Sequence, residues 1–131
     1  MSQVESARVL VVDDDVESQE LYVEILRWAG FEVCTAADGM SAIRAATDEQ
    51  PHAVVLDIEM PRKDGLAVLA ELRSLPETAT IPVIALTGFS EAADRARIAG
   101  GFTCVLEKPC DPLSLIATVR EAIRLTPEPR V

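Results

Sequence analysis

The sequence predicts an α/β domain: five strand and helix pairs folded as a three-layer α/β/α sandwich around a parallel sheet of order 2-1-3-4-5. The first observation behind this is a set of short apolar runs rich in β-branched residues, including Val9-Leu10-Val11-Val12, Val54-Val55-Leu56 and Val83-Ile84-Ala85-Leu86. Runs of that length without alternation belong to strands covered on both faces. The second is that segments of helical period separate them, which makes parallel crossovers and a sheet sandwiched by helices. The third is that charged residues close several runs: Asp13-Asp14 after the first, Asp57 after the third, and Lys108 after Val105-Leu106-Glu107. Doubly wound sheets bind ligands at the carboxyl ends of their strands. In the order 2-1-3-4-5 the first and third strands are neighbours at the switch point, so Asp13, Asp14 and Asp57 share one crevice.

Each element follows from local signals. The first strand spans about Arg8 to Val12, and a helix follows from Val16 to Ala29, with Asp15 as its cap and Leu21, Ile25 and Ala29 on its inward face. Gly30 suits the left-handed residue past that helix. Phe31 to Thr35 alternates as a second strand, Asp38-Gly39 opens a helix with Ala42, Ile43, Ala45 and Ala46 inward, and Ala53 to Leu56 is the third strand. A loop from Asp57 through Asp64, containing Met60-Pro61, ends at Gly65, after which Leu66, Leu69 and Leu72 mark the third helix. Ile81 to Leu86 is the fourth strand, with Pro82 tolerated at its entry and Thr87-Gly88 at its end. The helix after Ser90 offers mostly alanine to the core and has Ile98 as its one large aliphatic, so it is the least anchored element. Gly100-Gly101 stops it, Phe102 to Glu107 contains the fifth strand, and Asp111-Pro112 starts a last helix with Leu115, Ile116, Val119 and Ile123 buried. The domain thus runs from 8 to 125, with a tail at 1–7 and a Pro-containing tail or linker start at 126–131.

A chain of 131 residues fits one such domain and leaves no room for a separate effector domain. No leader pattern and no membrane-length apolar run is present, which predicts a soluble cytoplasmic protein. Asp and Glu number 22 against 12 Lys and Arg, a net charge of −10 with no basic stripe, which argues against direct binding to nucleic acid or to anionic lipid. Cys34, Cys104 and Cys110 match no metal or disulfide spacing and read as reduced, mostly buried small side chains. His52, beside Pro51, reads as a surface or strand-entry residue.

The crevice has a specific chemistry. Two carboxylates about 4 Å apart repel by about 4 kcal/mol at an effective dielectric of about 20, so a cation must balance them. Magnesium suits, because it takes oxygen ligands octahedrally and pairs one or two carboxylates with phosphate oxygens. Asp14 and Asp57 are the candidate direct ligands, the Glu59 backbone carbonyl a third, and Asp13 a candidate holder of a metal-bound water. Asp57 as a carboxylate can attack phosphorus to form an acyl phosphate. Lys108 supplies a cation, and Thr87 a hydroxyl, to the phosphoryl oxygens. Taken singly, each residue has a duller explanation as a cap, a turn residue or a surface charge. Complementary charges on alternate strand ends of one sheet edge do not.

These residues resemble the receiver domain of two-component response regulators, a flavodoxin-like fold, over nearly the whole chain. The matching signatures are Val11-Val12-Asp13-Asp14-Asp15, Leu56-Asp57-Ile58-Glu59-Met60-Pro61 with Asp64-Gly65, Ala85-Leu86-Thr87-Gly88, and Lys108-Pro109. The resemblance implies phosphotransfer to Asp57 from a phosphohistidine on a sensor histidine kinase or a histidine phosphotransfer protein. It also implies magnesium dependence, slow self-catalysed hydrolysis, a cis Lys108-Pro109 bond, and a downstream protein target not identified by the sequence. It leaves homodimerisation open and points to the fourth helix, fifth strand and fifth helix as the signalling surface. Such domains usually carry Tyr or Phe where Val105 stands, a ring that turns inward as the hydroxyl of Thr87 moves toward the phosphate. Without it, coupling would run through the Gly88-Phe89 loop and the helix after it. Cys110 stands where Phe is frequent, and Glu59 and Phe89 hold positions that tune access of the attacking water.

Two other classes compete. A haloacid-dehalogenase-type phosphatase would make Asp13 the nucleophile and use Thr87 and Lys108, but it leaves the Asp57 loop unexplained and has no later acidic pair for metal. A phosphorylation-independent interaction module would account for Val105 and Cys110, but not for the complete set of Asp13, Asp14, Asp57, Thr87 and Lys108. Dinucleotide binding is disfavoured by the Asp-rich turn, where a glycine fingerprint would be needed.

Overall fold

In the computed structural model, which describes residues 7–59, 65–88 and 90–126, strands and helices alternate along the chain. They are β1 (Arg8–Val12), α1 (Val16–Trp28), β2 (Glu32–Ala36), α2 (Gly39–Glu49), β3 (Ala53–Asp57), α3 (Gly65–Ser74), β4 (Val83–Thr87), α4 (Ser90–Ala99), β5 (Cys104–Glu107) and α5 (Pro112–Leu125). The sheet order is β2-β1-β3-β4-β5, with every pairing parallel. This is the flavodoxin-like (βα)5 arrangement expected from the run pattern.

The two-residue period of the strands divides the core in two. Leu10, Val12, Val54, Leu56, Val83 and Ala85 face α2, α3 and α4, where Ala42, Ala46, Val68, Leu69, Leu72, Ala92 and Ala96 meet them. Val9, Val11, Ala53, Val55, Ile84 and Leu86 face α1 and α5, where Tyr22, Val23, Leu26, Leu115, Val119 and Ala122 pack. Full burial of each large aliphatic contributes about 1.5–3 kcal/mol. The continuous apolar runs are therefore accounted for by a sheet with no wet face.

Helix starts follow one local rule. Asp15, Asp38 and Asp111 each accept, through the side chain, the backbone N–H three residues on, from Ser18, Ser41 and Ser114. Each such cap stabilises its helix by about 1 kcal/mol. Gly30 follows α1 with φ 101°, the left-handed conformation that ends a helix most cheaply.

Several expectations are corrected. Leu21 is 54% exposed, and α1 instead buries Tyr22, Val23 and Leu26, with Ile25 and Ala29 half-buried against the same cluster. Ile98 is 85% exposed, so α4 docks through Ala92, Ala93 and Ala96 alone. β2 begins one residue later than expected because the Phe31 N–H is taken by Leu26 O of the helix end at 3.1 Å. β4 starts after Pro82, whose carbonyl accepts the Val54 N–H at 2.9 Å. Leu66 is half-buried while Val68 is fully buried. The three cysteines are free thiols and half-buried rather than buried. His52 precedes β3 and accepts the Arg8 N–H on Nδ1 at 3.1 Å. Met60, Pro61, Asp64, Phe89 and the tail from Pro127 lie outside the described residues. Among the described residues no helix is long and apolar enough to cross a membrane.

Candidate functional site

Four strand ends converge at the carboxyl edge of the sheet. Asp13 follows β1, held by its N–H to Ala36 O at 3.1 Å, while its carbonyl accepts Gln19 Nε2 at 3.2 Å. Gln19 Nε2 also reaches Ala36 O at 3.1 Å, so one α1 side chain ties the ends of β1 and β2 together. Asp57 closes β3, the N–H of the next residue, Ile58, bonds Leu86 O at 3.1 Å, and Asp57 Oδ1 accepts the Glu59 N–H at 3.0 Å. Thr87 closes β4 fully buried, and its carbonyl receives the Lys108 N–H at 2.7 Å. Backbone ladder bonds thus fix the origin of each functional side chain.

Asp13 and Asp57 are 1% and 5% exposed, and Asp14 is exposed at the rim. A carboxylate oxygen from each lies within 4.8 Å of the others. Lys108 Nζ reaches between the two buried acids, 3.5 Å from Asp57 Oδ2 and 3.7 Å from Asp13 Oδ2. Asp13 Oδ1 accepts the Asp15 N–H at 2.9 Å, but Oδ2 is buried with no hydrogen-bond partner among the described residues. Burial pushes the Asp13 carboxyl up to about 6; the Asp15 amide and Lys108 oppose the rise, and the charge of Asp57 adds to it. Burial also pulls the Lys108 ammonium down, but the Asp57 and Asp13 charges outweigh it and hold the group above its ordinary value. One ammonium against three carboxylates leaves negative charge uncompensated, and the orphaned Asp13 oxygen marks where a cation would act.

The Thr87 hydroxyl donates to Glu59 Oε2, and the Gly88 N–H donates to Glu59 Oε1 at 3.1 Å. Sequence reasoning selected Glu59 for its carbonyl and its place near the attacking water; this side-chain bridge carries no sequence signal, because it depends on a rotamer crossing between two strand ends. Gln19 was missed too, although its place four residues after the Asp15 cap put it on the turn nearest the site. Val105 lies in β5 opposite Ala85, half-buried against the α2–α4 side of the sheet. The Lys108-Pro109 peptide is cis.

Chemically, the crevice offers acceptors for a hard divalent cation on one side and a buried hydroxyl and an ammonium for an oxyanion on the other, with the Asp57 carboxylate between them.

Comparisons with known proteins agree with this geometry. The family model for the response regulator receiver domain matches residues 9–120. The transcriptional regulatory protein PrrA of Mycobacterium tuberculosis is 43% identical over 122 residues, which cover 92% of this chain and 52% of PrrA. The response regulator PleD of Caulobacter vibrioides is 38% identical over 120 residues, 91% of this chain and 26% of PleD. The chain therefore spans about half the length of the first and about a quarter of the second. Among solved structures, the receiver domain of a Pseudomonas aeruginosa sensor histidine kinase, with magnesium coordinated in its active-site cleft, superposes with a TM-score of 0.84 at 28% identity. That match covers 91% of this chain and 98% of the other. With its fold, its strand-end acids and a family match across most of its length in accord, this chain belongs to the response regulator receiver domains of two-component signalling.

Proposed function

We propose that Asp57 is the phosphoacceptor, taking a phosphoryl group from a phosphohistidine of a sensor kinase or histidine phosphotransfer protein and presenting the change to a downstream protein. The observation that supports this is Lys108 Nζ bridging Asp57 and Asp13 beside Asp14, an arrangement of one cation and three carboxylates suited to an oxyanion and a metal ion around the proposed acceptor. Lys108 and Thr87 bind phosphoryl oxygens; Asp57 accepts the group and later loses it to water without a separate enzyme. The chain acts on its own phosphoryl group and is a switch rather than a catalyst of external turnover. With valine at 105, the switch runs through Thr87, Gly88 and α4.

The donor set fits magnesium. One carboxylate oxygen from each of Asp13, Asp14 and Asp57 lies within 4.8 Å of the others, close enough to share one ion with oxygens at about 2.1 Å; in this reading Asp14 and Asp57 are the direct carboxylates and Asp13 acts through water. The Glu59 carbonyl is the further protein ligand. When bound, the ion neutralises charge on the transferred group.

The reading is tested by incubating the protein with acetyl phosphate with and without magnesium and recording intact mass. One phosphoryl adduct, formed only with the metal, supports it; a folded, magnesium-binding protein that gives no adduct with acetyl phosphate or with a phosphohistidine donor removes it. A pH dependence follows from Asp13. Its carboxyl is raised to about 6, so its charge is lost as pH falls through that value. Magnesium affinity by calorimetric titration is expected to be flat above about pH 7 and to drop toward about tenfold per unit below about pH 6.

A further inference from the structure

We propose that the Glu59 carboxylate is a resident anion: in the unphosphorylated protein it occupies the Thr87 hydroxyl, which a phosphoryl group on Asp57 would use, and is held there by the adjacent Gly88 N–H, so uptake has to displace it. The proposal rests on the phosphoacceptor reading above and deepens it.

Three contacts define the arrangement. The Glu59 N–H is committed to Asp57 Oδ1, which fixes the residue beside the acceptor. Its side chain then turns to the end of β4, where Oε2 takes the Thr87 hydroxyl and Oε1 takes the Gly88 N–H. One residue therefore touches the acceptor through its backbone and the neighbouring donors through its side chain. A carboxylate satisfied by two donors makes a demand like that of two oxygens of a phosphoryl group: one is planar and the other tetrahedral, but both are oxyanions that prefer charge-assisted bonds. Thr87 is fully buried, so its hydroxyl is met by protein atoms rather than by bulk water. Glu59 is only half-buried, so once displaced it regains solvent.

Uptake from acetyl phosphate needs no further reactant. One Asp57 carboxylate oxygen attacks phosphorus, the new O–P bond forms, and the P–O bond to acetate breaks with its electron pair. The incoming group carries more negative charge than Glu59 and is attached to Asp57, whose Oδ2 is 3.5 Å from Lys108 Nζ, so it wins the donors, but only after the resident carboxylate has left. Charge-assisted bonds of this kind correspond to about a tenfold effect or more on the step.

A duller account is available. Gly88 lies just before α4, and an anion near a helix N-terminus stabilises the helix. A helix-stabilising role predicts that removing the carboxylate lowers stability and leaves uptake unchanged or slower. Displacement predicts faster uptake.

The test compares the full chain with Glu59→Ala and Glu59→Gln, following adduct formation from acetyl phosphate by intact mass at saturating magnesium. Glu59→Ala is expected to gain about tenfold in uptake rate, with Glu59→Gln, which keeps one acceptor oxygen but no charge, in between. Magnesium affinity should stay within about twofold, since a backbone carbonyl is the proposed ligand at this position. Hydrogen exchange of the Gly88 amide, read by NMR without any phosphodonor, should speed by about tenfold in Glu59→Ala. Unchanged or slower uptake in a folded Glu59→Ala, or an unchanged Gly88 amide, overturns the proposal while leaving Asp57 as acceptor. Absence of any adduct on the parent chain overturns the acceptor reading and this proposal with it.

Discussion

Asp57→Asn is expected to leave the protein folded and to abolish the phosphoryl adduct completely. The amide is close to the carboxylate in shape, and its oxygen can still accept the Glu59 N–H that now reaches Asp57 Oδ1 at 3.0 Å. It keeps no negative charge for Lys108 Nζ, 3.5 Å away, and no nucleophilic oxygen pair for phosphorus. Intact mass after acetyl phosphate and magnesium should show unmodified protein only. The same experiment separates the two chemistries that Asp13 and Asp57 suggest. Were the site a phosphatase acting through Asp13, Asp57→Asn would spare phosphate release and Asp13→Asn would stop it. Each acid commits one oxygen to the amide two residues on, but burial raises the Asp13 carboxyl to about 6, which makes it the poorer nucleophile as pH falls toward that value. Asp13→Asn should slow uptake without eliminating it, an effect that extra magnesium partly reverses.

Gly65→Ala should be the most damaging single methyl group that can be added near the site. A Cβ there would stand 2.4 Å from Ile58 Cγ2 and 2.5 Å from Ile58 Cα, closer than real contacts allow. Ile58 cannot yield easily. Its N–H is bonded to Leu86 O, and its carbonyl accepts the Gly65 N–H, both at 3.1 Å. Overpacking costs about 1–3 kcal/mol, and alanine's better helix propensity, worth up to about 1 kcal/mol, offsets only part of that. A net loss of about 2 kcal/mol by urea denaturation is expected. Because Ile58 lies between Asp57 and Glu59, adduct formation should slow as well. Gly88→Ala is the control: its Cβ would find only Glu59 Oε1, at 3.8 Å, and stability should stay within about 0.5 kcal/mol. Equal losses at the two positions would mean that the Ile58 contact is not what makes Gly65→Ala costly.

Strand identity, sheet order and the three acids were legible because each depends on short-range signals. A doubly covered strand must be apolar throughout, a helix start needs an aspartate or serine, and a parallel sheet collects its strand ends on one edge. Helix rotation was not legible in α1. Leu21-Ile25-Ala29 and Tyr22-Ile25-Leu26-Ala29 are overlapping apolar stripes at helical spacing, and periodicity cannot choose between them when each is apolar. The fold chose the second, burying Tyr22 and leaving Leu21 and Trp28 exposed. In α4 the expectation that a large aliphatic turns inward failed for Ile98, which is exposed while Ala92, Ala93 and Ala96 make the buried face. In the site, residue types could be read but bridges could not. That Lys108 spans both buried acids and that Glu59 folds across to β4 are facts of side-chain path, which sequence spacing does not encode.

The alanine face of α4 has a mechanical meaning. A helix that docks through leucines and isoleucines is keyed into its sheet, because sliding it by an ångström pulls knobs from their holes and opens voids that cost about 24 cal/mol per Å³. α4 presents only the methyls of Ala92, Ala93 and Ala96 to the core and sends its one large side chain, Ile98, to water. Methyl groups leave shallow holes. Such a contact is a plain bearing in kind: sliding α4 would withdraw smaller knobs than sliding a leucine-docked helix. The rim of the bearing is polar: Ser90 Oγ bonds Glu107 Oε1 at 3.1 Å, and Arg97 stands 3.7 Å from Glu107 Oε2. These are exposed, water-exchangeable links, and they join α4 to the strand that delivers Lys108. If a pull arises at the carboxyl edge of the sheet, as the proposed switch requires, the core beneath α4 offers it few large side chains to dislodge.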